Sequence, residues 1–528
     1  MQLLRMRALL AAPALLALCC AAAAHSPARA AVPKDVRLTR IGTYASGINA
    51  GAEIVSHDPK SQRLFVVNAN PEAPAIDVLD IRDPSKPVKR FSIPISPYGG
   101  GVNSVDVSGG VVAAAVEASP KQDPGKVVFF DSDGNFLSQV TVGALPDMIA
   151  FTHNGNYVLT CNEGEPNADY TVDPEGSVSI IDVRRGAKKV TQADVSTAGF
   201  GSFTKANIDP RIRIYGPGAS VAQDLEPEYL TTSGDSKTAY VTVQENNALA
   251  IVDIPSATVT SLKSLGFKDH RLPGNGLDPS DRDGGIRIGS WPVYGMYQPD
   301  SIASFVYRGR TYLVTANEGD AREYLGVPGF VEEARVGGLT LDPVAFPNGA
   351  LLKSNANLGR LTVTRTLGDF DGDGDYDALF PLGARSFSIW TAGAELVYDS
   401  GSDLERITAL AVPTVFNSNG DPGTFDTRSD NKGPEPEALT LGEIDGRTYA
   451  FLGLERTGGI AVYDITDPNA PRFVQYVNPT AAGESADVGP EGLKFIKRGD
   501  SPIQKPLLAV ASEVSGTTTI YRIDPIKQ

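Results

Sequence analysis

Short runs of apolar residues recur along the chain, and Gly, Asp, Asn and Pro separate them. The runs are rich in Val, Ile and Tyr and alternate in polarity, which favours β-strands over helices. Three runs form a repeating unit: the first opens with an acid, the second ends in Glu, and the third ends in Asp. Residues 146–182 show this unit as PDMIAFT, YVLTCNE and GSVSIID. The repeat predicts one supersecondary unit used many times.

The unit occurs seven times, and a fourth strand usually follows it. Repeated four-stranded units favour an all-β, seven-bladed propeller of the WD40/YVTN type over a β-sandwich pair or a β-solenoid. We expect residues 31–528 to form this single propeller. One strand, residues 36–44, is spare at the start, and we expect it to supply the outer strand of the last blade.

The repeat carries two rows of mainly acidic residues. The first row opens each innermost strand: Glu53, Asn103, Asp147, Glu228, Asp300, Glu437 and Glu491. The second row ends each second strand: Asn70, Glu117, Glu163, Glu245, Glu318, Glu455 and Glu513. The first strand of a blade runs from one face of the propeller to the other, and the second strand runs back. The start of the first strand and the end of the second therefore lie at the same face, which we call the top, and both rows are predicted there. Long insertions fall at the same face, at about 184–225, 265–298, 319–385 and 400–435.

So many carboxylates repel one another unless cations neutralise them. Five basic residues are predicted nearby: Arg282, Arg322, Arg385, Lys432 and Arg456. They are too few to neutralise the acids, which favours bound metal ions. The alternative is that the repeat acids accept hydrogen bonds from backbone N–H groups between blades. The chain has only four histidines, so oxygen ligands predict Ca²⁺, with a second metal such as Mg²⁺ or iron possible.

The 319–385 insertion contains the segment DFDGDGDYD, in which acids occupy every second position and glycines separate the central ones. Such spacing wraps oxygen ligands around Ca²⁺, and four residues are the predicted ligands: Asp369, Asp371, Asp373 and Asp377. The twelfth position of the loop is Phe380 rather than Glu, so it is not a complete EF-hand loop.

The N-terminus has the composition of a secretory signal peptide, residues 1–30. Arg5 and Arg7 precede an apolar run at 8–24, and Ala28-Arg29-Ala30 offers a cleavage site. We therefore expect a periplasmic or secreted protein with no integral membrane span. Once the signal peptide is removed, Cys161 is the only remaining cysteine, and we expect it to be buried. The net charge of −16 argues against a nucleic-acid partner.

Several longer motifs resemble the choice-of-anchor I family: NEGEP (162–166), ANEGDAREY (316–324), DGDGDYD (371–377), GARSFSIW (383–390), GPEPEAL (433–439) and GPEGL (489–493). Members are secreted or surface proteins with a propeller-type repeat, and the family name reflects varied C-terminal anchors. Some are described as atypical alkaline phosphatases and others as mesenchyme-specific cell-surface glycoproteins. The resemblance implies no established catalytic residues.

Three functions remain open from the sequence. The first is a calcium-dependent phosphoesterase, in which metal-bound water attacks a small phosphorylated substrate held by Arg385, Arg322 or Arg456. The alternative is a non-catalytic, Ca²⁺-stabilised propeller that binds an extracellular or cell-surface ligand; another metallohydrolase, such as a lactonase, is a third reading. The sequence leaves the oligomeric state open.

Overall fold

The computed structural model describes residues 35–326, 329–421, 423–481, 483 and 487–526. The predicted signal peptide, residues 1–30, lies outside these ranges. The described residues form seven four-stranded antiparallel sheets. Innermost strands of successive sheets pack pairwise, and Pro490–Ile496 of the last packs on Val55–Asp58 of the first. This closed ring confirms the seven-bladed propeller.

Each blade is given from its innermost to its outermost strand. Blade 1 contains Val55–Asp58, Arg63–Asn68, Ala75–Asp80 and Val88–Pro94; blade 2 contains Gly101–Ser108, Val111–Glu117, Pro124–Asp131 and Phe136–Ala144. Blade 3 contains Pro146–Phe151, Tyr157–Asn162, Ser177–Asp182 and Val195–Gly199; blade 4 contains Pro227–Thr232, Thr238–Val243, Ala248–Asp253 and Thr258–Ser264. Blade 5 contains Ile302–Tyr307, Arg310–Asn317, Ser386–Thr391 and Leu396–Asp399; blade 6 contains Pro436–Ile444, Arg447–Leu454, Ile460–Asp464 and Arg472–Val477. Blade 7 contains Pro490–Ile496, Leu507–Ser512, Thr517–Pro525 and Val36–Ala45.

The N-terminal strand Val36–Ala45 closes the ring, as predicted. It pairs antiparallel with Thr517–Pro525 and completes blade 7. Val36 and Leu38 of this strand are buried against blades 6 and 7. The two ends of the described chain are therefore held together by backbone hydrogen bonds and apolar packing.

The top insertions and one bottom-face connection, residues 183–194, carry the remaining elements. Three two-stranded sheets pair Phe267–Asp269 with Tyr294–Met296, Glu323–Tyr324 with Phe330–Val331, and Glu333–Arg335 with Thr362–Thr364. The short α-helices are Val221–Asp224, Gly349–Leu352 and Asp403–Ala411. The 3₁₀ turns are Ala187–Lys189, Gln192–Asp194, Val336–Gly338, Leu358–Arg360 and Pro413–Val415.

One predicted insertion boundary needs correction. The segment 184–225 was expected to lie wholly at the top, but Val195–Gly199 is the outer strand of blade 3. Residues 183–194 therefore join the third and fourth strands at the bottom face, and only the part after Gly199 leaves at the top. The error arose because this strand is short and polar, with little hydrophobic signal.

Apolar side chains pack between adjacent blades rather than in one central core. Cys161 and Val178 of blade 3, for example, pack with Leu230 and Val241 of blade 4. Cys161 is buried, as the sequence predicts. Polar residues surround the axis of the ring, and the two rows of acids lie close together there.

Candidate functional site

The first row of acids lines one cavity of about 200 Å³ on the propeller axis. Every blade contributes to its wall, which includes Asn103, Asp147, Glu228, Asp300, Glu437 and Glu491. Glu53 precedes the innermost strand of blade 1 and lies close enough to Glu491 to raise its pKa. The predicted convergence of the first row is therefore present in the structure.

β-Bulges direct these side chains toward the axis. In blade 3 the register shifts between Pro146 and Ile149, and the extra residues include Asp147. Equivalent shifts contain the first-row residue of other blades: Asn103, Glu228, Glu437 and Glu491. A bulge bends its strand and re-aims one side chain, so the repeat builds an inward-facing polar ring from otherwise ordinary strands.

The backbone just before three of these acids is in the left-handed region. Leu145 has φ 47, Gln298 has φ 40 and Glu435 has φ 52, and each of them precedes a proline. This conformation is unfavourable for residues other than glycine, and such strain concentrates at functional sites.

The carboxylates of the cavity lack many of the hydrogen bonds that they could accept from the protein. None of the first-row carboxylates accepts a hydrogen bond from a backbone N–H group within the described ranges, which argues against the purely structural alternative. By contrast Asp106, lower in the channel, accepts one from Phe151 N at 2.9 Å. Buried oxygens of Glu228, Glu437 and Glu491 lack any hydrogen-bond partner.

Burial and mutual repulsion raise the pKa values of these carboxyls. Burial, then the charges of Glu513 and Asp147, raise the pKa of Glu53 to about 8. Burial and Glu117 raise the pKa of Asp147 to about 7. The pKa values of Glu228, Asp300, Glu437 and Glu491 are raised further by the same two causes. At neutral pH the ring must therefore hold protons or cations.

Two carboxylate triads form where the second row meets the next blade. In triad A, carboxylate oxygens of Glu163, Glu226 and Glu245 lie within 4.8 Å of one another. In triad B the same holds for Glu318, Glu437 and Glu455. Each triad joins neighbouring blades, and each contains the acids that end the second strands on both sides. Carboxylate oxygens this close together could hold a hard cation.

Two glutamates of this region were not predicted, although the sequence contains a signal for them. Glu226-Pro227-Glu228 and Glu435-Pro436-Glu437 repeat the same Glu-Pro-Glu pattern before blades 4 and 6. Only the second acid of each was assigned to the first row. In the structure Glu226 belongs to triad A, and the buried Glu435 receives ion pairs from basic residues.

Basic side chains neutralise part of the region. Lys432 contacts Glu318 and lies 3.4 Å from Glu435. Arg456 lies 2.8 Å from Glu455 and keeps 34% of its side chain exposed. Ten of the twelve acids in the two rows nevertheless have no ion-pair partner among the described residues: Glu53, Glu117, Asp147, Glu163, Glu228, Glu245, Asp300, Glu437, Glu491 and Glu513.

The arginines predicted to bind substrate differ sharply in their availability. Arg385 is buried; it pairs with Glu405 at 2.7 Å and donates to the backbone carbonyls of Asp278, Ser429 and Asn431. Buried Arg322 holds Asp224 at 2.6 Å and Glu226 at 3.1 Å. Both side chains are committed to holding the insertions on the blades. Arg456 alone of the three combines exposure with contact to a triad.

Ser301 lines the central cavity beside Asp300. Strand alternation does not place these two neighbours on opposite sides, because the innermost strand of blade 5 begins only at Ile302. The Ser301 hydroxyl donates to the carbonyl of Glu437, which ties blade 5 to blade 6.

The Asp-rich loop is a separate acidic site in the 319–385 insertion. Oxygens of Asp369, Asp371 and Asp377 lie within 4.8 Å of one another, and Asp377 also groups with Asp342 and Asp375. Asp373, predicted as a ligand, belongs to neither group. Asp342 was missed because it lies 27 residues before Asp369, and only the bridge from Leu341 to Tyr376 brings it close.

The sequence model of the choice-of-anchor I domain matches residues 53–468. The chain belongs to the choice-of-anchor I family. The matched range contains both triads and the Asp-rich loop, whereas Glu491 and Glu513 of blade 7 lie beyond it.

Two similar proteins come from animals. Gigasin-3a of Magallana gigas is 31% identical in an alignment of 190 residues that covers 33% of this chain and 66% of that protein. The mesenchyme-specific cell surface glycoprotein of Strongylocentrotus purpuratus is 29% identical in an alignment of 282 residues that covers 47% of this chain and 36% of that protein. The chain thus matches less than two thirds of the length of either relative.

Among solved structures, hydrazine synthase of Kuenenia stuttgartiensis gives a TM-score of 0.45 at 13% identity, covering 91% of this chain and 99% of that one. The propeller assignment rests on the seven sheets themselves. Within the described part of the choice-of-anchor I chain, no helix is long and apolar enough to cross a membrane.

Proposed function

We propose that this choice-of-anchor I protein is an extracellular propeller that holds divalent cations at the top of its central channel. One observation carries the proposal: Glu245 Oε2 of triad A and Glu437 Oε2 of triad B are buried and without a hydrogen-bond partner. Buried carboxylates are costly unless a proton or cation compensates them. The cell-surface name of the sea-urchin relative supports the extracellular setting.

The donor set fits a hard cation. Both triads consist of carboxylates alone, without histidine or cysteine, which favours Ca²⁺ or Mg²⁺ over zinc. Triad A is also held by Arg322, whose pair with Glu226 fixes one ligand but reduces its free charge. In triad B, Glu318 and Glu455 pair with Lys432 and Arg456, and Glu437 has no ion-pair partner among the described residues. We test triad B because its Arg456 is partly exposed, whereas Arg322 beside triad A is buried.

Binding can be tested by titrating chelator-treated protein with Ca²⁺ and with Mg²⁺ in a calorimeter. We expect Glu437→Gln to weaken binding at least tenfold. The matched control is Glu443→Gln, because Glu443 is an exposed residue at the bottom end of the same strand. If Glu437→Gln and the parent protein bind equally, triad B is not the site.

We propose hydrolysis of phosphate esters as the activity of this centre, supported by the position of Arg456. Its guanidinium pairs with Glu455 and lies 3.7 Å from Glu435, and 34% of the side chain stays exposed, so it can bind phosphate oxygens. A bound divalent cation would supply charge neutralisation and an activated water.

The activity test uses p-nitrophenyl phosphate and phytate, with Ca²⁺ and then with chelator. We expect chelator-sensitive turnover, and a loss of at least tenfold in kcat/KM for Arg456→Ala with little change in thermal stability. Cation binding without turnover on either substrate would instead favour the non-catalytic surface-binding propeller.

A further inference from the structure

A second cavity, of about 610 Å³, lies among the top insertions and shares no lining residue with the central cavity. We name it the insertion cleft; segment 205–215 forms one wall, and Phe267, Leu367, Phe370 and Phe380 form the other. Its volume falls within the range of small-molecule sites, about 300 to 1,000 Å³.

The walls of the insertion cleft are apolar and aromatic. Phe380 packs edge-on against Phe267, with ring centroids 4.8 Å apart, and Phe370 approaches Phe380 at 6.3 Å. Phe370 is 65% exposed, which is unusual for so large an apolar side chain unless it covers a ligand or partner. Ile208 faces them from the opposite wall.

An exposed cationic side chain lines the same cleft. Lys205 is exposed, donates only to the Ile214 carbonyl at 3.4 Å, and has no carboxylate within ion-pair distance among the described residues. Arg213 also lines the cleft, but it is 6% exposed and pairs with the buried Glu332. Lys205 is therefore the cation that a ligand in the cleft can reach, and its ammonium group can pair with an anion.

We infer that the insertion cleft binds a small anionic amphiphile, with an apolar or aromatic body against the phenylalanines and a carboxylate, sulfonate or phosphate head near Lys205. An exposed lysine without a carboxylate partner is notable in a chain of net charge −16, because an anion would be repelled by most of the surface. This site does not depend on cations in the central channel.

The test uses the mature full-length protein in chelator. Anilinonaphthalene sulfonate is the fluorescent probe, and decanoate and decanol are compared as competitors. We expect one probe molecule per chain, and displacement by decanoate at concentrations at least tenfold lower than by decanol. Lys205→Glu should weaken the binding of decanoate at least fivefold and leave the binding of decanol unchanged. Lys60→Glu, a control at an exposed bottom-face position, should change the binding of neither compound.

The apolar wall is tested separately, with the exposed Phe370 changed to alanine. Phe370→Ala should weaken both competitors several-fold, while Leu410→Ala, a control at an 86% exposed position outside the cleft, should not. Equal potency of decanoate and decanol, or probe binding insensitive to both Lys205→Glu and Phe370→Ala, would overturn the inference. Because no cation is present, these outcomes are independent of the proposed cation site.

Discussion

Replacing Glu455 with glutamine should stabilise the metal-free protein at alkaline pH and destabilise the metal-bound one. In triad B, burial and the charge of Glu318 raise the pKa of Glu455 from 4.5 to about 7. The folded state therefore holds a proton that the unfolded state releases between about pH 4.5 and 7. Stability from this proton is complete below pH 4.5 and is lost as the pH rises through 7.

The size of the effect follows from that shift. A change of 2.5 pKa units corresponds to about 3 kcal/mol of lost stability above pH 7. Glutamine removes this loss, but it also weakens the 2.8 Å ion pair with Arg456. Because Arg456 is about one third exposed, that pair contributes only about 0–1 kcal/mol. We therefore expect Glu455→Gln to raise the free energy of unfolding by about 2 kcal/mol at pH 8 in chelator, and to change it very little at pH 5.

The assay is urea unfolding at pH 5 and pH 8, with chelator and with saturating Ca²⁺. In Ca²⁺ at pH 8 the order should reverse, because a neutral amide is a weaker ligand than a carboxylate. Glu443→Gln, on the same blade but exposed, should track the parent protein in all four conditions. A Glu455→Gln loss of equal size at both pH values in chelator would refute the reasoning.

The other predictions concern the insertions, the Asp-rich loop and the closing strand. Arg385→Ala should lower the free energy of unfolding by about 3–5 kcal/mol, measured by urea unfolding, because it leaves Glu405 buried without its partner. Ca²⁺ should protect the Asp-rich loop against limited proteolysis. Asp377→Asn should abolish this protection, whereas Asp373→Asn, outside both convergent groups, should reduce it only slightly. Leu38→Ala in the closing strand should cost about 2–3 kcal/mol in the same unfolding assay, since this side chain is 5% exposed between blades 6 and 7. An unchanged unfolding midpoint for Arg385→Ala or Leu38→Ala, or equal proteolysis of the two aspartate variants, would contradict the corresponding contact.

The repeat could be predicted from the sequence because every blade has the same local pattern of strands, turns and acids. Alternating strands, short bottom turns and an acid after Pro146 or Pro490 recur at matching positions, so the seven blades and both rows of acids follow from pattern alone. The closing role of Val36–Ala45 followed as well, because a spare strand leaves an unpaired sheet edge to fill.

What the repeat could not reveal is how charge is shared between segments far apart in the chain. Arg385 and Arg456 are equally basic in sequence, yet one is sequestered by Glu405 and the other stays open beside Glu455. Glu226 joins a metal-ligand geometry only because its blade packs on the one before it. Local patterns determine strands and their facing, whereas ligand distances, burial and unpaired donors depend on long-range packing, which only the tertiary structure decides.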